Sequence, residues 1–172
     1  MDGWGEYLVA VAAFLLAHVI PARPMLRAGL IARLGRRGYV AAFSLLSVGL
    51  LYWLIVAAGR APYIGLWDAG QAGRWLVNLA MPLAILAAVT LRPLMAGLLC
   101  AFTIWAGAHL VANGDLAHAV MFGVMLGFAL TGAPRLRRAR LRLTPARLAL
   151  AVAAWGLLLA LHPVVTGVSP LP

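Results

Sequence analysis

Six nearly continuous apolar runs decide what this chain can fold into. They cover Tyr7–Leu26, Tyr39–Ala58, Trp75–Thr90, Pro93–Ala112, Leu116–Ala133 and Arg147–Thr166. A spanning helix takes about 20 predominantly apolar residues, and none of the runs shows the period-two alternation of a barrel strand. The pattern predicts an all-α, polytopic transmembrane helical bundle of about six spans, forming a single integral membrane domain over residues 1–172. The third run is short, and Pro82 near its middle predicts a kink of the kind membranes tolerate.

Composition agrees. The chain is 65% hydrophobic and 10% charged, with a mean hydropathy of +0.98, whereas a soluble domain carries roughly 25% charged residues. Too few polar side chains exist to cover a water-facing surface, so the solvent is lipid. Cys100, the single cysteine, lies inside an apolar run and reads as a packed small hydrophobe,.

The formal charge of +10 could suggest nucleic acid, but its distribution gives it another job. Arg23, Arg27, Arg33, Arg36 and Arg37 separate the first two runs, and Arg92 lies between the third and fourth. Arg135, Arg137, Arg138, Arg140, Arg142 and Arg147 separate the last two. The opposite side keeps Arg60 and Arg74 and collects all four acids: Asp2, Glu6, Asp68 and Asp115. Positive residues stay cytoplasmic, so both termini are expected outside, and six spans agree by placing them on one side. Membrane lipids, with anionic headgroups as counter-charge, are then the expected partners, and nucleic acid is not. The start, "MDGWGE", turns basic only after the first run, which is the polarity of a retained anchor rather than a cleavable signal peptide. The basic stretches "LRAGLIARLGRRG" and "PRLRRARLRLTPARL" look alike through Arg/Leu richness alone, so no internal repeat is read from them.

The chemistry-bearing side chains are few. There is no Gly-rich phosphate loop, no Ser-His-Asp arrangement and no pair of carboxylates within one run, so hydrolysis and phosphoryl transfer lack their parts. Four histidines remain: His18, His109, His118 and His162. Ionisable groups within spans are costly and face a cavity or the bundle interior, and neutral imidazole is a common ligand for haem iron. His18 lies deep in "AAFLLAHVIPARPMLR", where an unpartnered ring would be expensive. His109 shares a helix face with Trp105 and Asn113; it reads either as a site residue or as an interfacial ring bonded to a backbone carbonyl. Asp115 suits the N-cap of the next helix and Gly114 a left-handed turn position. His118 reads as a helix-start partner of Asp115, and His162, followed by Pro163, as part of a helix end or as a ligand. Gly123 and Gly127 in "GVMLG" predict a small-xxx-small packing contact. Trp4, Trp67 and Trp75 fit an interfacial aromatic belt.

"HVIPARPMLRAGLIARLGRRGYVAAFSLLS", "LWD", "AHLVANGDLAHAVMFGVML" and "HPVVTGVSPLP" together resemble the NnrU family of bacterial membrane proteins, from about His18 to Pro172. The resemblance implies a bacterial inner-membrane protein with periplasmic termini, linked to denitrification and to nitrite and nitric oxide reductases. The family is also similar to zeta-carotene isomerase, a membrane enzyme with b-type haem. By that likeness His18 and His109 correspond to the haem axial ligands; in a haem pocket built on them, Trp105 or arginine side chains would supply tuning or propionate contacts. The implied role is redox or gas-responsive, or that of a haem-dependent isomerase. Placed by the runs, His18 lies near mid-membrane and His109 near the outer end of its span. At 1.5 Å per residue their depths differ by about 10 Å, so His109 with His162 stays open as the alternative pair. The rival reading is a non-catalytic scaffold or assembly factor for the reductases. Oligomers are compatible with either.

Overall fold

The computed structural model describes residues 3–21 and 23–171. Asp2, one of the four acids, and Pro172, the last residue of the tail motif, lie outside the described residues. Six α-helices account for the six runs: α1 (Gly3–Val19), α2 (Pro24–Arg60), α3 (Gly70–Thr90), α4 (Leu94–Ala112), α5 (Leu116–Thr131) and α6 (Pro145–Thr166). Two short strands, β1 (Leu91–Arg92) and β2 (Arg140–Leu141), pair antiparallel, and a 3-10 turn covers Ala133–Arg138. Among the described residues α2, α3, α4 and α6 are long and apolar enough to cross a membrane, while α1 and α5 are shorter apolar helices. The protein is therefore all-α with the make-up of a multi-pass membrane bundle. Its surface agrees: Leu45, Val152 and Val164 are 75%, 69% and 80% exposed, while alanines make up much of the buried core. Large apolar groups outside and small ones inside suit a lipid solvent, where close packing rather than water exclusion joins helices.

The helix limits differ from the runs in informative ways. α1 stops at Val19, just before Pro21, so His18 sits in its last turn rather than near the middle of a longer span. Much of the basic stretch is helical and joins the second run across a kink, so that α2 spans 37 residues. Gly35 interrupts it with φ +70° and ψ 162°, a conformation glycine adopts without steric cost,. α3 begins at Gly70 and is a full 21 residues long, passing through Pro82. Proline opens both α2 and α6, where its missing N–H costs no hydrogen bond.

The chain divides into two compact units, Met1–Pro62 and Tyr63–Pro172. In the first, α1 and α2 form a helical hairpin, with Tyr7, Ala10 and Phe14 of α1 and Leu54, Ala57 and Ala58 of α2 buried. Glu6 closes one end, accepting from Trp53 Nε1 at 3.2 Å and from Arg60 Nη1 at 3.3 Å.

In the second unit α3 and α4 run antiparallel at very close range. A Cβ on Gly97 would stand 2.7 Å from the Ala87 carbonyl, and one on Gly73 would stand 3.1 Å from Ala112 Cα. Glycine at both ends of this contact lets the two backbones approach. The small-xxx-small pair expected at Gly123 and Gly127 does not do this: a Cβ at either would meet nothing within 4 Å. α5 packs on α4 through Ala117, Met121, Met125 and Ala129, a buried stripe at four-residue spacing,. α6 lies antiparallel to α3: the Arg142 N–H bonds the Thr90 carbonyl at its start, and Asn78 bonds Pro170 at its finish.

Candidate functional site

The turn between α4 and α5 carries the densest polar network of the second unit. Asp115 caps α5, its Oδ1 accepting from the His118 backbone N–H at 3.1 Å, while Oδ2 takes the His118 ring Nδ1 at 2.7 Å. Both expected roles, cap and helix-start pair, are thus present together. Asn113 Nδ2 donates to the His109 carbonyl at 2.8 Å, closing the last turn of α4.

Gly114 is required here, though not for a left-handed conformation: among the described residues only Gly35, Gly70 and Gly167 have positive φ. The reason is a neighbour. The segment 64–67 lies along the turn, with Leu66 and Trp67 N–H groups donating to the Gly114 carbonyl at 2.7 and 3.1 Å. Leu116 N–H returns a bond to the Ile64 carbonyl at 2.8 Å, and the Trp67 indole donates to the Val111 carbonyl at 2.9 Å. A Cβ on Gly114 would collide with the Trp67 carbonyl. "IGLWD" therefore clamps "ANGDL", a pairing that sequence reasoning did not find. The signal was a tryptophan indole donor and a turn glycine in segments 45 or so residues apart, too far for any local rule to connect them.

His109 sits in the last turn of α4. Its Nδ1–H donates to the Trp105 carbonyl at 2.9 Å; since a carbonyl only accepts, Nε2 is the lone-pair nitrogen of the neutral ring. Aromatic rings enclose it. The Trp105 ring centroid lies 5.4 Å away and that of Phe122, on α5, 5.1 Å away. Trp105 meets Phe122 edge-on at 5.2 Å and stacks on Phe102 at 5.2 Å. Trp105, His109 and Asn113 do share one helix face, as their spacing predicts. His118 stacks on Phe122 at 6.1 Å.

His162 belongs to the helix end. Its Nδ1–H donates to the Val168 carbonyl at 2.8 Å, Thr166 Oγ1 donates to the His162 carbonyl at 2.9 Å, and Gly167 follows in the left-handed conformation. It lies at the same end of the second unit as His109, where α4 and α6 both finish. His18 lies in the first unit. Its ring packs on Phe14 at 4.3 Å and Phe43 at 5.4 Å, and its Nδ1–H donates to the Phe14 carbonyl at 2.7 Å. The His18 and His109 rings thus carry the same tautomer, fixed in each by the carbonyl four residues earlier.

"LWD", "AHLVANGD" and the tail all gather at this end of the second unit: Trp67 bonds Val111, and Pro170 accepts from Asn78 Nδ2 at 2.6 Å. The profile described as NnrU protein matches residues 6–170. The chain belongs to the NnrU family. No curated protein and no solved structure matches it.

Two open grooves mark the second unit of this NnrU-family protein. One, of about 240 Å³, lies between α3 and α4 and is lined by Met81, Ala84, Ile85, Leu98, Phe102 and Trp105 among others. The other, of about 390 Å³, is lined by Trp75, Asn78, Leu79, Pro82, Trp155 and Leu171. Neither is lined by a histidine, although the first reaches Trp105, one turn before His109. Among the described residues no cluster of three or more His, Cys, Asp or Glu side chains could hold a bare metal ion. A porphyrin iron asks less of the protein, since one or two imidazole nitrogens complete its coordination. In donor chemistry His109 and His18 fit that requirement: in each the ring Nδ1 is engaged by a carbonyl, the arrangement that orients a ligating histidine and raises its basicity.

Proposed function

We propose that this NnrU-family protein binds haem b in the bacterial inner membrane, with its termini on the periplasmic side, and plays a redox or gas-responsive part in nitrite and nitric oxide metabolism. The observation that carries the reading is His109, whose Nδ1–H is committed to the Trp105 carbonyl and whose ring is flanked by Trp105 and Phe122. When bound, haem iron supplies one-electron chemistry and a coordination position for small gases. The chain's own residues do the rest. The Trp105 carbonyl sets the tautomer, Phe122 and Trp105 keep the imidazole away from water, and the clamped turn behind Asn113 fixes where α4 ends. His18 is the second ligand that the family resemblance suggests, and His162 the alternative. The link to denitrification rests on that resemblance.

A non-catalytic scaffold for nitrite or nitric oxide reductases is the second reading, and one observation favours it: no histidine lines either groove. An oxidised-minus-reduced visible spectrum of detergent-purified protein, expressed with ample haem supply, separates the two. Haem binding predicts a Soret band that His109→Ala abolishes or shifts and His18→Ala alters. A band that both variants keep unchanged removes this ligand assignment, and no band at all supports the scaffold.

A further inference from the structure

The opposite end of the second unit carries a charge arrangement that the haem reading does not use. β1 and β2 pair with Leu91 opposite Leu141 and Arg92 opposite Arg140. Side chains alternate along a strand, so Arg92 and Arg140 share one face of the ribbon and Leu91 and Leu141 the other; Arg142, whose N–H bonds the Thr90 carbonyl, follows directly. Arg92 and Arg140 are a cross-strand pair of like charge, which is destabilising unless something lies between them. Among the described residues of this unit no side chain supplies that counter-charge. Its two carboxylates, Asp68 and Asp115, belong to the histidine end, and the ion pairs among the described residues are Glu6 with Arg60 and Asp115 with His118. Main-chain carbonyls instead hold guanidinium groups in place: Arg92 Nη1 donates to Leu91 at 3.2 Å and Arg147 Nη1 to Arg142 at 2.9 Å.

The other face of the ribbon is equally unusual for a connecting loop. Leu141 and Leu143 are 59% and 56% exposed. A small anion would satisfy the arginines and leave these apolar groups in water, and nucleic acid has no surface for them either. An amphiphile satisfies both. We infer that the β1–β2 ribbon is a binding site for an anionic glycerophospholipid. Its phosphate is held by the guanidinium groups of Arg92, Arg140 and Arg142, which match phosphate geometry with paired donors. Its acyl chains lie along the exposed Leu141 and Leu143. Such a site anchors the arginine end at the headgroup level independently of whether haem is bound.

The test uses the full chain in neutral detergent and follows its thermal midpoint during titration with four probes: dioctanoyl-phosphatidylglycerol, dioctanoyl-phosphatidylcholine, inorganic phosphate and a mixed-sequence RNA oligonucleotide. Phosphatidylglycerol is expected to raise the midpoint saturably and the others to leave it nearly unchanged. Arg92→Gln with Arg140→Gln raises the half-saturating concentration about tenfold or more, the scale of two basic groups at a membrane surface. Arg74→Gln, at the far end, does not change it. Arg140→Gln alone, at an exposed position, gives the same direction with a smaller shift and serves if the double variant does not fold. Equal stabilisation by phosphatidylcholine, by free phosphate or by RNA overturns the proposal. So does an unchanged half-saturation in Arg140→Gln.

Discussion

The two ends of the second unit solve the problem of leaving a bilayer in opposite ways. At the histidine end almost every polar group is consumed inside the protein: Asp115 caps α5, Asn113 and Trp67 take up α4 carbonyls, and the imidazoles of His109, His118 and His162 each have a bonded Nδ1. At the arginine end the charges look outward, tethered by occasional bonds to carbonyls and facing no carboxylate. One end is built for internal order and the other for contact with an external anion. The difference separates two meanings of polarity in a membrane protein: a satisfied network positions side chains, whereas a charge row with no carboxylate beside it is open to an external counter-charge.

Substitution at Gly114 breaks this comparison most severely. Gly114→Ala places a methyl against the Trp67 carbonyl and is expected to cost about 2–3 kcal/mol, the upper range for overpacking, read as a lowered thermal midpoint in detergent. Gly123→Ala, where nothing lies within 4 Å, is expected to be neutral or to stabilise slightly through helix propensity. Asp115→Ala comes next. It removes the cap of α5 and the His118 partner together, for about 1–2 kcal/mol, while Asp115→Asn retains the cap and recovers much of the loss,. Thr144→Ala at the arginine end removes only the cap of α6, for about 1 kcal/mol,. Smallest of all, Arg137→Gln and Arg138→Gln change stability by less than about 0.5 kcal/mol, since neither side chain is tied down within the described residues. Comparable losses in Arg137→Gln and Asp115→Ala would erase the distinction between the ends.

The helices were legible in the sequence because apolar length is a local signal. So were the Asp115 cap and its pairing with His118, which follow from a three-residue spacing on one helix. Trp105, His109 and Asn113 were placed on one face by helical period, and the His109 bond to a backbone carbonyl is compatible with both readings of that ring. What escaped was non-local. The glycines that matter for close approach are Gly73, Gly97 and Gly114, each set against a backbone far along or across the fold, whereas the obvious motif at Gly123 and Gly127 opens on empty space. Apolar patterning could not show that the basic stretch before Gly35 is helical, because Arg/Leu alternation there carries no span-like hydropathy while its backbone propensity remains helical,. The strand pair Leu91–Arg92 with Arg140–Leu141 joins two loops whose charge alone had been counted.

The central claim is that the histidine end contains an imidazole poised for iron and other imidazoles that serve structure. Haem content per protein, measured on purified wild type, His109→Ala and His118→Ala, tests it directly. The account predicts near-stoichiometric haem in the wild type and in His118→Ala, and haem largely lost from His109→Ala. Equal haem in the two variants, or none in the wild type grown with ample haem, contradicts it.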